Sequence, residues 1–378
     1  EFRRVLFRSL YQDKIIYELV LPQTIIDEQR LKSGSPVTIE GENASLPEHP
    51  RIRVNTLTIT PSPLKQVMDA NEPRIVALLV NFNDLKATDD ITHEEIDKHL
   101  YEGETSIRNN YKLSSFGKVK FNRILSPQSE PPAFTVNLNY NAGDSCDYKA
   151  WYADVINAAA QSGLDLTPYQ YHMLIFPTNV KCVWLGLGES SCVDTCASWV
   201  RVGTPAETKQ RMAHELGHNF GMGHAGSDNN NDGKGNVYGD YSCVMGWGYS
   251  QVNAPHRDQM EWLTTPSRIT TVTASGQYTL KSLDVSEKGL QVLKIKRNKG
   301  RHYYVSFRTG TSPFGMPDMY VNKVSIHAVP ANFFLTYFIK ALATSEIFTD
   351  KKNGITVTVT QINKKTAVVD VKLDKDTV

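Results

Sequence analysis

The stretch from His214 to His224 constrains the fold more than any other part of the chain, because it reads His-Glu-x-x-His-x-x-Gly-x-x-His. Histidines four positions apart stand one turn above the other on one helix face, so both imidazoles can reach one ion. Upstream, Thr204 with Glu207 three residues later predicts a capping box that starts this helix. Gly221 can adopt the positive φ that ends it, and the reversal returns His224 towards the same ion.

Three neutral imidazoles with one open position are typical of a catalytic zinc site, whereas structural zinc sites fill all four positions, usually with thiolates. We therefore predict that His214, His218 and His224 bind one zinc ion. Glu215 is the predicted catalytic residue, a general base acting on water. The alternative is a surface helix with three unrelated histidines, but chance rarely fills five fixed positions with these residues at this spacing.

A second motif follows the third histidine, in the run Asp240-Tyr241-Ser242-Cys243-Val244-Met245-Gly246. A methionine in a tight turn beneath three zinc histidines is the metzincin hallmark. Met245 on its own would be interpreted as an ordinary core residue. Placed after the zinc motif, it predicts a Met-turn whose sulfur forms a polarizable, apolar floor under the ligands.

The chain resembles the gametolysin family of metzincin zinc endopeptidases. The resemblance spans most of residues 73 to 378 and is most specific around the zinc motif and the Met-turn. It implies a zinc protease domain with a twisted sheet and an active-site helix, and a protein or peptide substrate outside the cell. The stretches that carry it are Arg74 to Phe82, Tyr111 to Val119, Tyr238 to Gly246 and Asn253 to Arg257.

The resemblance also directs attention to residues beyond the zinc motif. In other metzincins a tyrosine two residues after the methionine can reach the metal or the oxyanion, but this chain has Trp247 there, which cannot ligate. Tyr249 is the substitute candidate for stabilising the transition state, and His256 is a second candidate for the cleft. Metzincins bind substrate along an edge strand above the zinc helix, and we expect that strand between residues 182 and 202. The alternative for this segment is a core strand with a glycine-rich hairpin.

The run Asp228-Asn229-Asn230-Asn231-Asp232-Gly233 matches the first half of a calcium loop. Asp228, Asn230 and Asp232 would then supply oxygen ligands to Ca²⁺. The twelfth position, where such loops carry a bidentate glutamate, is Gly239. A solvated turn rich in asparagine and glycine is the alternative, and the sequence leaves both open.

Composition and strand signals predict an α+β chain in several pieces. Residues 1–9 read like translated cloning sequence and are set aside as a non-native leader. Short β-rich runs predict an N-terminal β module over residues 10–70, which is either a prodomain or an accessory domain. Residues 73–265 mix strand and helix signals and form the predicted catalytic domain. Residues 266–378 predict a β-sandwich-like module, with an apolar helical insertion from Phe333 to Leu342.

The five cysteines all fall within the predicted catalytic domain, and none has C-x₂-C spacing. One or two disulfides with one thiol left over, formed in an oxidising compartment, fit this pattern better than a second zinc site. Together with the resemblance, this favours a secreted protein whose signal peptide is not present in this chain.

Charge and hydropathy exclude several other classes of function. The chain carries 41 basic and 40 acidic residues, so nothing indicates a nucleic-acid partner. It also lacks an apolar run long enough for a membrane span. The sequence therefore favours a secreted zinc metalloendopeptidase that cleaves extracellular proteins. The alternative is a catalytically inert, zinc-stabilised adhesion or matrix-binding protein, although such a protein has no need for Glu215 beside the metal.

Overall fold

The computed structural model describes residues 72–121, 133–190, 195–232, 235–264, 267–298, 301–330 and 335–374, together with the backbone of four N-terminal strands. The chain divides into two compact units. The first unit comprises Glu1–Asp69 with Ser191–Asp194, and the second comprises Ala70–Ser190 with Thr195–Val378. The second unit contains the zinc motif.

The first unit contains one four-stranded sheet, in the order β1-β2-β4-β3. The middle pair, β2 and β4, is parallel, and the outer pairs are antiparallel. One strand, β1, lies inside the segment that the sequence analysis sets aside as a leader. A role as prodomain or accessory domain stays a prediction. The strands are β1 (Phe2–Arg4), β2 (Glu18–Pro22), β3 (Val37–Asn43) and β4 (Arg51–Ile59).

A five-stranded sheet forms the centre of the N-terminal part of the second unit. Its order is β6-β5-β7-β9-β8, and β8 is an edge strand that runs antiparallel to β9, whereas the other pairs are parallel. All seven residues of β5 are buried, because helices cover both faces of the sheet. The strands are β5 (Ile75–Asn81), β6 (Ala133–Asn137), β7 (Tyr171–Phe176), β8 (Gly186–Gly188) and β9 (Cys196–Arg201).

Six helices accompany this sheet in the described part of the chain. The capping box predicted at the start of the zinc helix, α5, is confirmed: the Thr204 hydroxyl accepts from the Glu207 amide, and the Glu207 carboxylate accepts from the Thr204 amide. Pro205 takes the first helical position, where its missing N–H costs nothing. The helices are α1 (Ala87–Asp90), α2 (His93–Tyr101), α3 (Ile107–Ser114), α4 (Tyr148–Gln161), α5 (Pro205–Asn219) and α6 (Ala254–Gln259).

Alternating residues of β5 divide between two apolar cores. Leu79 packs in the cluster that also holds Met212 and Leu216 of α5. Its neighbour Val80 packs in the cluster on the opposite face, which holds Trp151 of α4. The sheet therefore fixes α5 on one face through a period-two pattern of buried side chains.

The rest of the second unit is built from two further sheets. A six-stranded sheet has the order β10-β16-β15-β14-β13-β11, and a four-stranded sheet has the order β12-β19-β18-β17. Apolar residues from both sheets share one buried cluster. The strands are β10 (Ala225–Ser227), β11 (Ile269–Val272), β12 (Gly276–Lys281), β13 (Val292–Lys296), β14 (His302–Arg308), β15 (Lys323–Val329), β16 (Thr336–Leu342), β17 (Ile347–Asp350), β18 (Ile355–Ile362) and β19 (Thr366–Leu373).

The first strand of the six-stranded sheet, β10, begins at the residue directly after His224. It pairs in parallel with β16, which lies more than a hundred residues later in the chain. The segment that leaves the zinc motif is therefore a strand of the C-terminal sheet.

The helical insertion predicted from Phe333 to Leu342 is wrong over its described part, which forms the strand β16. Phe333 itself lies outside the described residues. The run Thr336 to Ile339 is rich in β-branched and aromatic residues, which fit a pleated sheet. Pairing with β15 on one side and β10 on the other supplies the backbone hydrogen bonds that favour a strand over a helix here.

The four cysteines in the described part of the chain fit the predicted pattern. Cys146 and Cys182 form a disulfide, Cys196 is also disulfide-bonded, and Cys243 is a buried free thiol. In the part of the chain that the structure describes, none of the helices has the length and apolar character needed to cross a membrane.

Candidate metal centre

His214 and His218 lie on one face of α5, with ring centroids 4.8 Å apart. The helix ends at Asn219, and Gly221 adopts a φ of 98°. Its amide bonds the carbonyl of His218, which closes the turn. The reversal brings the ring of His224 to 4.8 Å from that of His218 and 5.4 Å from that of His214. The structure thus brings the three predicted ligands together.

Backbone carbonyls orient two of these rings. Nδ1 of His214 lies 3.0 Å from the carbonyl oxygen of Val244, and Nδ1 of His218 lies 2.9 Å from that of Met222. When Nδ1 donates in these contacts, each Nε2 presents its lone pair to the site.

The ligand atoms fit a single small ion. All three lie within 4.8 Å of one another, and the Nε2 atoms of His218 and His224 are 3.1 Å apart. Two nitrogens bound to a tetrahedral zinc ion at about 2.0–2.1 Å would be separated by about 3.3 Å. Small side-chain adjustments would therefore bring all three nitrogens onto one ion.

The protonation states of the histidines also favour a metal. Burial lowers the pKa of all three rings, in the case of His224 to about 4. The neighbouring imidazoles lower the pKa of His214 further. Since the neutral imidazole is the ligand form, no proton competes for these nitrogens at neutral pH.

Glu215 lies beside the histidines and is only 5% exposed. Burial raises the pKa of its carboxyl to about 8. Edge strand β8 passes directly over it: a Cβ on Gly186 would lie 2.8 Å from Cγ and Cδ of Glu215, and a Cβ on Gly188 would lie 2.9 Å from Cβ of His218. Glycine permits this close approach of strand and helix. The strand lies within the segment where the sequence analysis expects the substrate-binding edge.

Met245 lies buried beneath α5. Its Sδ occupies the space beside Gly217 where any side chain on that residue would stand. Its carbonyl accepts a hydrogen bond from the amide of Ala225, at 2.8 Å. The turn that carries Met245 is thereby tied to the residue that follows His224.

A chain of buried hydrogen bonds connects the C-terminal sheet to the third histidine. Asp240 accepts from Nδ2 of Asn253 and from Nε2 of His327, both at 3.1 Å. The same Asn253 amide donates to Oγ1 of Thr336, at 2.9 Å. The amide of Thr336 donates to the carbonyl of His224, at 3.1 Å. The C-terminal strands therefore help to position His224 and the Met-turn.

The two other candidates from the sequence lie elsewhere. The Tyr249 hydroxyl donates to the carbonyl of Thr105, at 2.9 Å. His256 is fully buried in α6, with Nδ1 3.8 Å from Sγ of Cys243, and burial lowers its pKa to about 3. Within the described residues, no ring contact joins either side chain to the three histidines.

A tyrosine that sequence reasoning missed does border the site. The ring of Tyr238 lies 4.2 Å from that of His224 and 5.9 Å from that of His214, measured between centroids. Trp247, which is 58% exposed, meets the Tyr238 ring edge-on at 6.0 Å. Tyr238 belongs to the run that carries the family resemblance, but nothing in the spacing of that run indicates that its side chain faces the metal site.

The predicted calcium loop gains no support. Oδ1 of Asp228 accepts from the amide of Asp232 at 3.2 Å, as in a turn, and Asn230 is exposed. Asn231 donates instead to the hydroxyl of Tyr303, at 2.6 Å. Across the described ranges, the histidine triad is the one cluster of three or more His, Cys, Asp or Glu side chains close enough to share an ion.

Fold and site together define a mixed α+β protein with a candidate three-histidine metal centre, built on a helix and the turn after it, beneath an edge strand. The family follows from comparison of the sequence: a model described as gametolysin peptidase M11 matches residues 74–346. Because this match covers well over half of the chain, the chain belongs to the gametolysin peptidase M11 family.

Individual relatives are more distant. Autolysin of Chlamydomonas reinhardtii is 33% identical over 99 residues, which make up 24% of this chain and 14% of autolysin. The match thus spans a small part of that relative. Among solved structures, catalytically inactive OgpA of Akkermansia muciniphila, in complex with an O-glycopeptide substrate, gives a TM-score of 0.32 at 11% identity, covering 71% of this chain and 91% of that one. A TM-score this low does not define a shared fold.

Proposed function

We propose that this chain is a secreted, zinc-dependent metalloendopeptidase that hydrolyses peptide bonds of extracellular proteins. One observation carries the proposal: His214, His218 and His224 bring their ligand atoms within 4.8 Å of one another, beside the buried carboxyl of Glu215. Membership of a peptidase family supports the same reaction class. A metal-stabilised adhesion protein would need the histidines but not the carboxyl.

The donor set suits zinc, which is commonly bound by neutral imidazole nitrogens. Zinc, when bound, polarises the scissile carbonyl and makes water a better nucleophile at neutral pH. His214 and His218 hold their orientation through the carbonyls of Val244 and Met222, and His224 is held through its own backbone by Thr336. The protein therefore presents the three nitrogens with little freedom to reorient.

Glu215 acts as the proton carrier. Its carboxylate takes a proton from the attacking water and then delivers that proton to the nitrogen of the departing amine. A carboxyl whose pKa is raised by burial can hold a proton between these two events, and a metal cation nearby would lower that pKa again. With its pKa raised in this way, Glu215 can both accept and deliver a proton near neutral pH.

The substrate adds to the sheet along β8. This strand is the edge of the five-stranded sheet in the described part of the chain, and it crosses directly above Glu215. An extended peptide paired with β8 would gain backbone hydrogen bonds that do not depend on its sequence. The peptide bond to be cleaved would then lie beside β8, facing the three histidines.

Secretion is supported by the cysteines. The Cys146–Cys182 disulfide and the disulfide-bonded Cys196 fit an oxidising compartment. Proteins outside the cell would accordingly be the available substrates.

The test is Glu215→Gln, compared with wild type and with Glu104→Gln as a matched control at an exposed glutamate. We expect Glu215→Gln to retain zinc, measured by elemental analysis, and to lose casein-cleaving activity by about 10²- to 10⁴-fold. The control should keep both. Turnover at the wild-type level in Glu215→Gln would refute the assigned base. A wild-type protein that binds zinc but gives no chelator-sensitive band on a casein zymogram would favour the inert adhesion protein.

A further inference from the structure

Tyr238 is the polar side chain at the metal centre that the proposed mechanism leaves unused. Its ring packs against His224, with centroids 4.2 Å apart and planes tilted by 45°, and it also borders His214. It is half-buried, so part of the side chain stays accessible to solvent beside the histidines. A peptide bound over the histidines would therefore be able to meet it.

The position of this ring is fixed from several directions. The backbone amide of Tyr238 donates to Oδ1 of Asn236, at 3.0 Å, and its carbonyl accepts from the amide of Trp247, at 3.0 Å. The indole of Trp247 then packs edge-on against the ring. Because contacts hold both the backbone and the ring of Tyr238, its hydroxyl has a restricted position and is pre-organised.

The hydroxyl of Tyr238 differs from those of other tyrosines near α5. The Tyr111 hydroxyl donates to the carbonyl of Ala213 at 2.6 Å, and the Tyr249 hydroxyl donates to that of Thr105. Among the described residues, the Tyr238 hydroxyl has no such partner. Burial raises the pKa of this phenol, and the charge of Glu215 raises it further.

We propose that Tyr238 is a further catalytic residue, whose hydroxyl donates a hydrogen bond to the scissile carbonyl oxygen as negative charge develops on it. The proposal rests on the peptidase function proposed above. No proton is transferred, since a tyrosine hydroxyl is protonated at neutral pH even with an ordinary pKa of about 10. The bond strengthens as the carbonyl becomes an oxyanion, and this is how a fixed donor accelerates the reaction.

The alternative is that the ring only shields His224 from solvent. Tyr238→Phe separates the two roles, because it keeps the ring against His224 and removes only the hydroxyl. Since this hydroxyl has no partner in the described structure, we expect the variant to fold. Tyr241→Phe is the matched control, as Tyr241 is an exposed tyrosine of the same loop with no ring contact to the three histidines in the described structure.

We expect Tyr238→Phe to retain zinc, to lose about 10²-fold in kcat and to change KM little. A second readout does not depend on turnover. Calorimetry would measure binding of a phosphinic analogue of the casein peptide bond that the wild-type enzyme cleaves, and Tyr238→Phe should bind it about 10²-fold more weakly. In the inactive Glu215→Gln background, the uncleaved substrate peptide should bind equally well whether or not Tyr238→Phe is also present. The Tyr241→Phe control should match wild type in every measurement.

Wild-type kcat and wild-type affinity for the phosphinic peptide in Tyr238→Phe would overturn the proposal. Loss of zinc from that variant would also overturn it, because the hydroxyl would then act by supporting metal binding and not on the carbonyl oxygen. Either result leaves the peptidase function standing as long as Glu215→Gln is inactive. If the wild-type protein cleaves nothing, the proposed function itself fails, and Tyr238 with it.

Discussion

Replacing Gly186 by alanine tests the close approach of the edge strand β8 to the proposed base. A Cβ on Gly186 would lie 2.8 Å from both Cγ and Cδ of Glu215, whereas carbon atoms in good contact are about 3.5–4.0 Å apart. Either the carboxyl moves by about 0.7 Å or more, or the strand does. The end of a glutamate side chain yields more easily than a paired strand, so we expect the carboxyl to move.

The magnitude follows from this displacement. A misplacement of about 1 Å in a catalytic group can cost about 10²-fold in rate. A shift of about 0.7 Å therefore predicts a loss of about 10- to 100-fold in kcat/KM for Gly186→Ala, or about 1.4–2.7 kcal/mol in activation free energy. Thermal stability should change little, because a flexible side-chain end absorbs the clash. Loss of activity without loss of stability is the distinguishing result.

The assay is cleavage of a quenched fluorescent peptide, with zinc content and the thermal unfolding midpoint measured on the same samples. Gly315→Ala is the control, since a Cβ there meets nothing within 4 Å, and it should behave as wild type. A change confined to KM would mean that β8 moved instead of Glu215. Full activity in a folded, zinc-loaded Gly186→Ala would refute the placement of β8 over the base.

Three further predictions concern stability and metal binding. Deleting residues 266–378 should abolish zinc binding, measured by elemental analysis, because the backbone of His224 and the strand after it are held by that part of the chain. Replacing Cys146 and Cys182 by serine should lower the free energy of unfolding, measured with urea, by about 3–4 kcal/mol for a loop of this length; an unchanged value would contradict this. The metal-free protein should lose stability to urea as the pH falls from about 6.5 towards 3, because burial lowers the pKa of His224 to about 4 and of His256 to about 3, so the unfolded chain binds protons that the folded chain does not. A flat profile over this range would contradict the buried neutral state of these histidines.

Local signals made the zinc helix predictable. The capping box at Thr204 and the positive φ of Gly221 each depend on a few neighbouring residues, and the structure has both. The i, i+4 spacing of His214 and His218 fixes their common helix face by geometry alone. Sequence reasoning succeeds here because the interactions that decide the structure lie within one or two turns.

The parts of the structure that could not be predicted from the sequence depend on contacts between residues far apart in the chain. β16 has an apolar run that suits a helix or a strand, and only its partners β15 and β10 select the strand. The same pairing joins the residues after His224 to a sheet formed by a much later segment. Tyr238 is held beside His224 by backbone contacts with Trp247, just after the Met-turn, and with Asn236. No period in the sequence encodes such contacts.

Cys243, the free thiol of the described part of the chain, can report on the local opening of this protein. It is fully buried next to Met245, and burial raises its pKa to about 12, so the native chain offers almost no thiolate to an alkylating reagent. Alkylation of Cys243 therefore requires local opening of the turn that contains this residue. The labelling rate of Cys243 would therefore measure how often the floor of the metal centre opens, without any engineered probe.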